Sequence, residues 1–90
     1  MKIKNLFKDY NGDDFEITGL STNTKTIQAG DLFLCIKGAT IDRHDYIDEA
    51  VKNGAVALVT SKDVNTTVPY IKVDDVNEIY ERLYRDFYDN

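Results

Sequence analysis

The chain has 90 residues, enough for one domain that buries about two thirds of its unfolded surface and too few for a second core. With 42% hydrophobic and 30% charged residues it is too apolar for a disordered segment and is expected to fold. The net charge of −5 argues against nucleic acid as a partner. The lack of a leader at Met1-Lys2-Ile3-Lys4 and of any long apolar run points away from secretion and membranes, towards the cytoplasm.

In chain order, Lys2 to Lys8 reads as a short helix, closed by the turn cluster Asn11-Gly12-Asp13-Asp14. Phe15 to Leu20 alternates apolar and polar residues, the period of a half-buried strand, and a polar loop follows. Ala29-Gly30-Asp31 is turn chemistry, and Leu32 to Ile36 is an apolar run expected to form a strand covered on both faces and ended by Gly38. Its Cys35 is the single cysteine of the chain, read as a buried small hydrophobe, with no disulfide possible within the chain.

From Asp42 the period changes: Tyr46, Ile47, Ala50 and Val51 share one face of a helix that Asn53-Gly54 stops. Ala55 to Val59 is a further buried strand, Ser61 to Thr67 a polar loop, and Tyr70 to Val73 a third core strand. The last helix runs from Asp75 to about Tyr88. Its stripe of Val76, Ile79, Tyr80, Leu83 and Phe87 opposes Glu78, Glu81, Arg82, Arg85 and Asp86, with Asp74 or Asp75 as cap. This order implies one α/β domain over residues 1–90, a small layered domain with a mixed or mostly parallel sheet, flanking helices and a β-α-β crossover from Leu32 through Val59.

His44 is the only histidine, so no histidine-rich metal site is expected, and its place in the first turn of a helix suits a surface or packing residue better than a catalytic base. The pairs Asp13-Asp14, Asp48-Glu49 and Asp74-Asp75 read as caps and solvated faces. Neither a G-x-x-x-x-G-K-[S/T] nor a G-x-G-x-x-G loop occurs. No catalytic residue, metal site or cofactor site is therefore assigned within these 90 residues. Charge is nonetheless uneven: residues 21–44 carry a net +1 and residues 72–90 a net −3. In a β/α layer, ligands bind beyond the carboxyl ends of the strands. There, Ser21 to Lys25 and Gly38 to Ile41 offer hydroxyls, a lysine and backbone N–H groups suited to a diphosphate or a uracil ring; the same side chains also serve simply to satisfy turns.

The stretch Ile17-Thr18-Gly19-Leu20-Ser21-Thr22-Asn23-Thr24-Lys25, followed by Ala29-Gly30-Asp31-Leu32-Phe33-Leu34 and Lys37-Gly38, resembles the opening block of the Mur ligases: a T-x-D-S-R-like motif, a spacer, G-D-[L/I]-F and a closing glycine. Asp42-Arg43-His44-Asp45-Tyr46-Ile47 is similar to the family's D-G-H-x-[F/Y]-I, and Ala50 to Val59 to its A-x-x-x-G-A-x-A-x-[V/I]. The ending Phe87-Tyr88-Asp89-Asn90 resembles the MurE type, which adds the third stem-peptide residue. The ligase that adds D-alanyl-D-alanine shares the earlier motifs but less of that ending.

The resemblance implies an N-terminal domain that docks UDP-N-acetylmuramoyl-L-alanyl-D-glutamate for a ligase adding L-lysine or meso-diaminopimelate in peptidoglycan synthesis. ATP, magnesium and the amino-acid pocket would belong to a central ATPase domain and a third domain of the parent chain, so these 90 residues alone are expected to bind and not to catalyse. Carried over by position, Thr22, Thr24 and Lys25 contact the UDP-muramoyl substrate, and Ala39, Thr40 and Ile41 lie along the uridine. Four positions depart from the pattern: Asn23 replaces aspartate, Thr24 serine, Lys25 arginine and Arg43 glycine. Lysine gives up the bidentate fork of arginine, and Arg43 loses the freedom of glycine to adopt positive φ. Those departures keep a second expectation open, a free-standing α/β interaction module without nucleotide binding.

Overall fold

The computed structural model describes residues 1–89. Four short strands, β1 (Gly19–Ser21), β2 (Asp31–Leu34), β3 (Ala57–Thr60) and β4 (Tyr70–Lys72), form one sheet in the order β1-β2-β3-β4. Every neighbouring pair is parallel, so the sheet is the wholly parallel limit of the expected architecture. Helices α1 (Ile3–Leu6), α2 (Ile47–Lys52) and α3 (Val76–Tyr88) flank it, with 3-10 turns at Thr24–Thr26 and Arg43–Tyr46.

The period of two along each strand divides the core. Leu32, Leu34, Ala57 and Val59 pack with Ile3, Leu6, Val76 and Leu83 beneath α1 and α3. Phe33, Cys35 and Leu58 pack with Ile47, Ala50 and Ala55 beneath α2. Covered faces on both sides explain why β2 and β3 read as continuous apolar runs rather than alternating ones.

Several boundaries differ from the sequence expectation. Phe15 to Leu20 does not form one strand. Its alternating first part pairs antiparallel with the N-terminus through an isolated bridge, Lys2 to Glu16, with the Ile3 N–H donating to the Phe15 carbonyl at 2.8 Å and the Ile17 N–H to the Met1 carbonyl at 2.8 Å. Only Gly19–Ser21 enters the sheet, and all three residues are buried. β4 is not a core strand: it lies at the sheet edge, where Tyr70 and Ile71 are half-buried and Lys72 is exposed. Tyr46 leaves the buried face assigned to it and is 40% exposed, because residues 43–46 wind as a tighter 3-10 turn that is out of phase with α2. β2 ends at Leu34, ahead of Gly38.

The helix termini follow side-chain chemistry. Asp75, rather than Asp74, caps α3 by accepting the Asn77 N–H at 2.9 Å. Asn53 closes α2 and Gly54 follows at φ +123°, a backbone conformation that only glycine adopts readily. The Gly54 carbonyl then accepts the Gly30 N–H at 3.0 Å, joining the end of α2 to the turn before β2. Among the described residues no helix is long and apolar enough to cross a membrane.

Candidate functional site

Since all four strands run the same way, the chain leaves β1, β2 and β3 at one edge of the sheet. An open cleft of about 240 Å³ lies there, lined by Thr22, Asn23, Thr24, Lys25, Phe33, Ile41, Arg43 and Tyr46. Four of the six residues expected to bind substrate, Thr22, Thr24, Lys25 and Ile41, meet in it. Ala39 and Thr40 do not line it. They stand exposed at the tip of a small excursion after β2, pinned below by the Lys37–Asp42 bridge and by the Gly38 N–H donating to the Ile41 carbonyl at 2.7 Å.

The first wall is a folded turn. The Asn23 side chain accepts the Lys25 N–H at 2.9 Å and caps the 3-10 turn, while the Thr26 N–H donates to the Asn23 carbonyl at 3.1 Å. A cap needs only an acceptor, so asparagine serves in place of aspartate. Asn53 Nδ2 donates to the carbonyl of the buried Thr24 at 3.0 Å. Turn satisfaction and cleft formation are thus two roles of the same residues.

α3 braces this wall from behind. The Tyr84 hydroxyl is hydrogen-bonded with Thr22; burial pushes its pKa up, against the opposing effect of that bond. The Tyr88 hydroxyl accepts the Leu20 N–H at 3.3 Å. The sequence reading named Tyr88 only within the family-like ending and did not single out Tyr84; their spacing at i and i+4 was the signal that both rings share a face.

Sequence reasoning also missed Arg43 and Tyr46. Among the described residues no non-glycine residue has positive φ, so Arg43 needs none of glycine's freedom. It sits in the 3-10 turn on the second wall, where its Nε donates to the Thr22 carbonyl at 3.2 Å, across to the first. Lys25 and Arg43 both line the cleft, and among the described residues neither is in an ion pair. Exposed Ile41 (43%) and Tyr46 add apolar surface beside these cations. A larger groove of about 700 Å³ between α1, β4 and α3 contains Lys8, Lys72 and Arg82 together with Asp9 and Asp86; Lys72 and Arg82 are paired with Asp63 and Asp86 at 3.4 and 3.2 Å, so its cations share the groove with carboxylates, whereas the lining of the cleft includes none. The cleft is the better anion site.

Beside the cleft, Asp42, His44 and Ser61 stand in the order carboxylate, imidazole, hydroxyl. Nδ1 of His44 is 2.6 Å from Asp42 Oδ1, and Nε2 accepts the Ser61 N–H at 3.0 Å with Ser61 Oγ at 3.4 Å. The backbone N–H occupies the Nε2 lone pair, which assigns the ring proton to Nδ1 and leaves no base for the hydroxyl. Of the surface and packing roles open to it, His44 takes the buried one and ties the loop after β2 to the loop after β3. Asp42 also lies 3.7 Å from Lys62. Partial burial pushes the Asp42 carboxyl up, but the His44 hydrogen bonds and the Lys62 charge outweigh it and hold the group below its ordinary value.

No glycine phosphate loop occurs in the sequence, and among the described residues no group of three or more His, Cys, Asp or Glu converges to hold a metal ion.

The profile of the Mur ligase family, catalytic domain, matches residues 16–88. A UDP-N-acetylmuramoyl-L-alanyl-D-glutamate–2,6-diaminopimelate ligase from Oceanobacillus iheyensis is 42% identical over 99% of the chain, which covers 20% of that protein. The protein of the same name from Rickettsia typhi is 39% identical over 91% of the chain and 15% of its own length. The chain therefore spans about a fifth or less of the curated relatives it matches. Among solved structures, MurF from Acinetobacter baumannii superposes with a TM-score of 0.70 at 24% identity, over 88% of this chain and 18% of that one. MurF ligase from Thermotoga maritima in complex with ADP gives 0.65 at 31% identity, over 74% and 16%. With the profile covering most of the chain, this protein belongs to the Mur ligase family.

Proposed function

We propose that the chain is the substrate-docking segment of a longer, cytoplasmic, ATP-dependent ligase, and that it holds UDP-N-acetylmuramoyl-L-alanyl-D-glutamate while the third amino acid of the peptidoglycan stem is added. The observation that carries this reading is the cleft at the carboxyl edge of the sheet, which pairs an uncompensated Lys25 with Thr22, Thr24 and the exposed Ile41. Lys25 attracts the diphosphate, the threonine hydroxyls bond its oxygens, and Ile41 offers an apolar edge to the base, with Ala39 and Thr40 beyond the cleft on the neighbouring turn. Binding energy gathered on this remote part of the substrate orients the reacting carboxylate elsewhere in the parent enzyme.

The relatives named as 2,6-diaminopimelate ligases, at 34–42% identity, support diaminopimelate over L-lysine as the added residue. They also favour this reading over the D-alanyl-D-alanine-adding ligase, whose solved structures match at 23–31%. In the proposal a central ATPase domain of the same parent chain is the partner and supplies ATP and magnesium; that the Thermotoga maritima protein was solved as a complex with ADP supports that division. Isothermal titration of the chain with the UDP-muramoyl dipeptide tests the reading. Weak, saturable binding that falls with Lys25→Ala is expected, since one domain offers only part of the contact area. No binding at millimolar substrate contradicts it and leaves the interaction module.

A further inference from the structure

We infer that Arg43 is a diphosphate-binding residue of this cleft, a fixed guanidinium fork that makes the site select a nucleoside diphosphate over the bare nucleoside. The inference rests on the docking function proposed above. Arg43 is half-buried, and a charge partly withdrawn from water is unfavourable unless an opposite charge meets it. The chain does not lack carboxylates, with 16 acidic against 11 basic side chains, and Lys62, Lys72 and Arg82 all lie within ion-pair distance of one. Lys25, like the other exposed cations Lys2, Lys4, Lys8, Lys37, Lys52 and Arg85, has no such partner among the described residues; Arg43 is set apart as a half-buried cation without one. Even Asp42, next in sequence to Arg43, directs its oxygens to His44 and Lys62.

Geometry prepares the residue. Its Nε–H is spent on the Thr22 carbonyl at 3.2 Å, which fixes the guanidinium plane from the opposite wall and costs no ligand-binding donor at the terminal amino groups. Those groups have no protein hydrogen bond among the described residues. A planar fork held in advance loses little freedom on binding and matches phosphate oxygens two at a time, whereas the exposed Lys25 acts as a mobile point charge. Fork and point charge in one cleft, next to Thr22 and Thr24, suit two linked phosphates.

The test uses UDP and uridine as probes of the 15N-labelled chain. UDP is expected to shift the Arg43 Nε–Hε resonance, observable because the Thr22 bond shields it, and uridine to leave it nearly in place. Arg43→Gln should weaken UDP about tenfold, the scale of one charge-assisted contact, and flatten the salt dependence of binding. Uridine affinity should change less than about twofold, and Arg43→Lys should fall between. If Arg43→Gln disturbs folding, the wild-type resonance decides alone. An Arg43 resonance unmoved at UDP saturation, or an Arg43→Gln chain binding UDP with wild-type affinity and salt slope, overturns this inference and leaves the docking function standing. A wild-type chain that binds neither UDP nor the UDP-muramoyl dipeptide overturns both.

Discussion

Asn77 holds Lys37 by both of its backbone groups: the Lys37 N–H donates to Asn77 Oδ1 at 2.8 Å, and Asn77 Nδ2 donates to the Lys37 carbonyl at 2.7 Å. Forty positions apart, the two residues fasten the first turn of α3 to the loop that carries Ile41 and Arg43. Asn77→Ala removes both bonds and should cost about 1–2 kcal/mol, two exposed hydrogen bonds at the low end of their range. Asn77→Asp keeps the acceptor but turns a carboxylate oxygen towards the Lys37 carbonyl, so it should recover little of that loss. Urea denaturation checks this; equal stability of wild type and Asn77→Ala would show that the clamp contributes nothing.

The acid side of the stability profile should depend on Asp42. Its carboxyl lies below the ordinary value of 3.8 when folded, so the unfolded chain takes up the proton first. The stabilisation is therefore complete above that value and is lost as pH falls through the lower, folded pKa. Asp42→Asn keeps the shape and should lose about 0.5–1.5 kcal/mol at neutral pH, with the gap to wild type closing in acid. A gap independent of pH would mean that the charge of Asp42 does not matter.

Gly54 and Gly38 should respond differently to alanine. At Gly54, φ is +123° and a Cβ would lie 2.9 Å from the Ala29 Cα, backbone that cannot swing aside. Gly54→Ala should cost about 1–3 kcal/mol. At Gly38 a Cβ would meet only the Ile41 carbonyl at 3.4 Å, and Gly38→Ala should stay within about 0.5 kcal/mol. Thermal melts of the two variants separate the cases.

Cys35 should be inert while the chain is folded. Burial raises its thiol to about 12, leaving almost no thiolate in mildly alkaline buffer. Ellman's reagent should therefore react at the rate of unfolding; rapid labelling in native buffer would contradict the buried placement.

Much of this architecture was legible because the strands β2 and β3 are apolar on both faces and α3 carries an apolar stripe at helical spacing. Periodicity failed where pairing, not pattern, decided the outcome. The alternation from Phe15 belongs to a bridge with Lys2, and the edge position of β4 was hinted at only by Pro69 before it and Lys72 within it. In the cleft, Thr22, Thr24, Lys25 and Ile41 came from motif resemblance and share one lining. Ala39 and Thr40 stand away from it because a turn carries its tip outward. Arg43 went unrecognised as a cleft residue because its role depends on a hydrogen bond to Thr22, 21 positions away, that no local spacing announces.

In the proposed docking function, the cleft between residues 22–25 and 41–46 receives the UDP end of the substrate. Chemical-shift mapping of the 15N-labelled chain with the UDP-N-acetylmuramoyl dipeptide decides whether it does. Saturable shifts should concentrate at Thr22, Asn23, Thr24, Lys25, Ile41 and Tyr46, and should weaken as salt rises because the exposed Lys25 is screened. Shifts confined to residues 75–89, or none at millimolar ligand, would place the substrate elsewhere and reject the cleft.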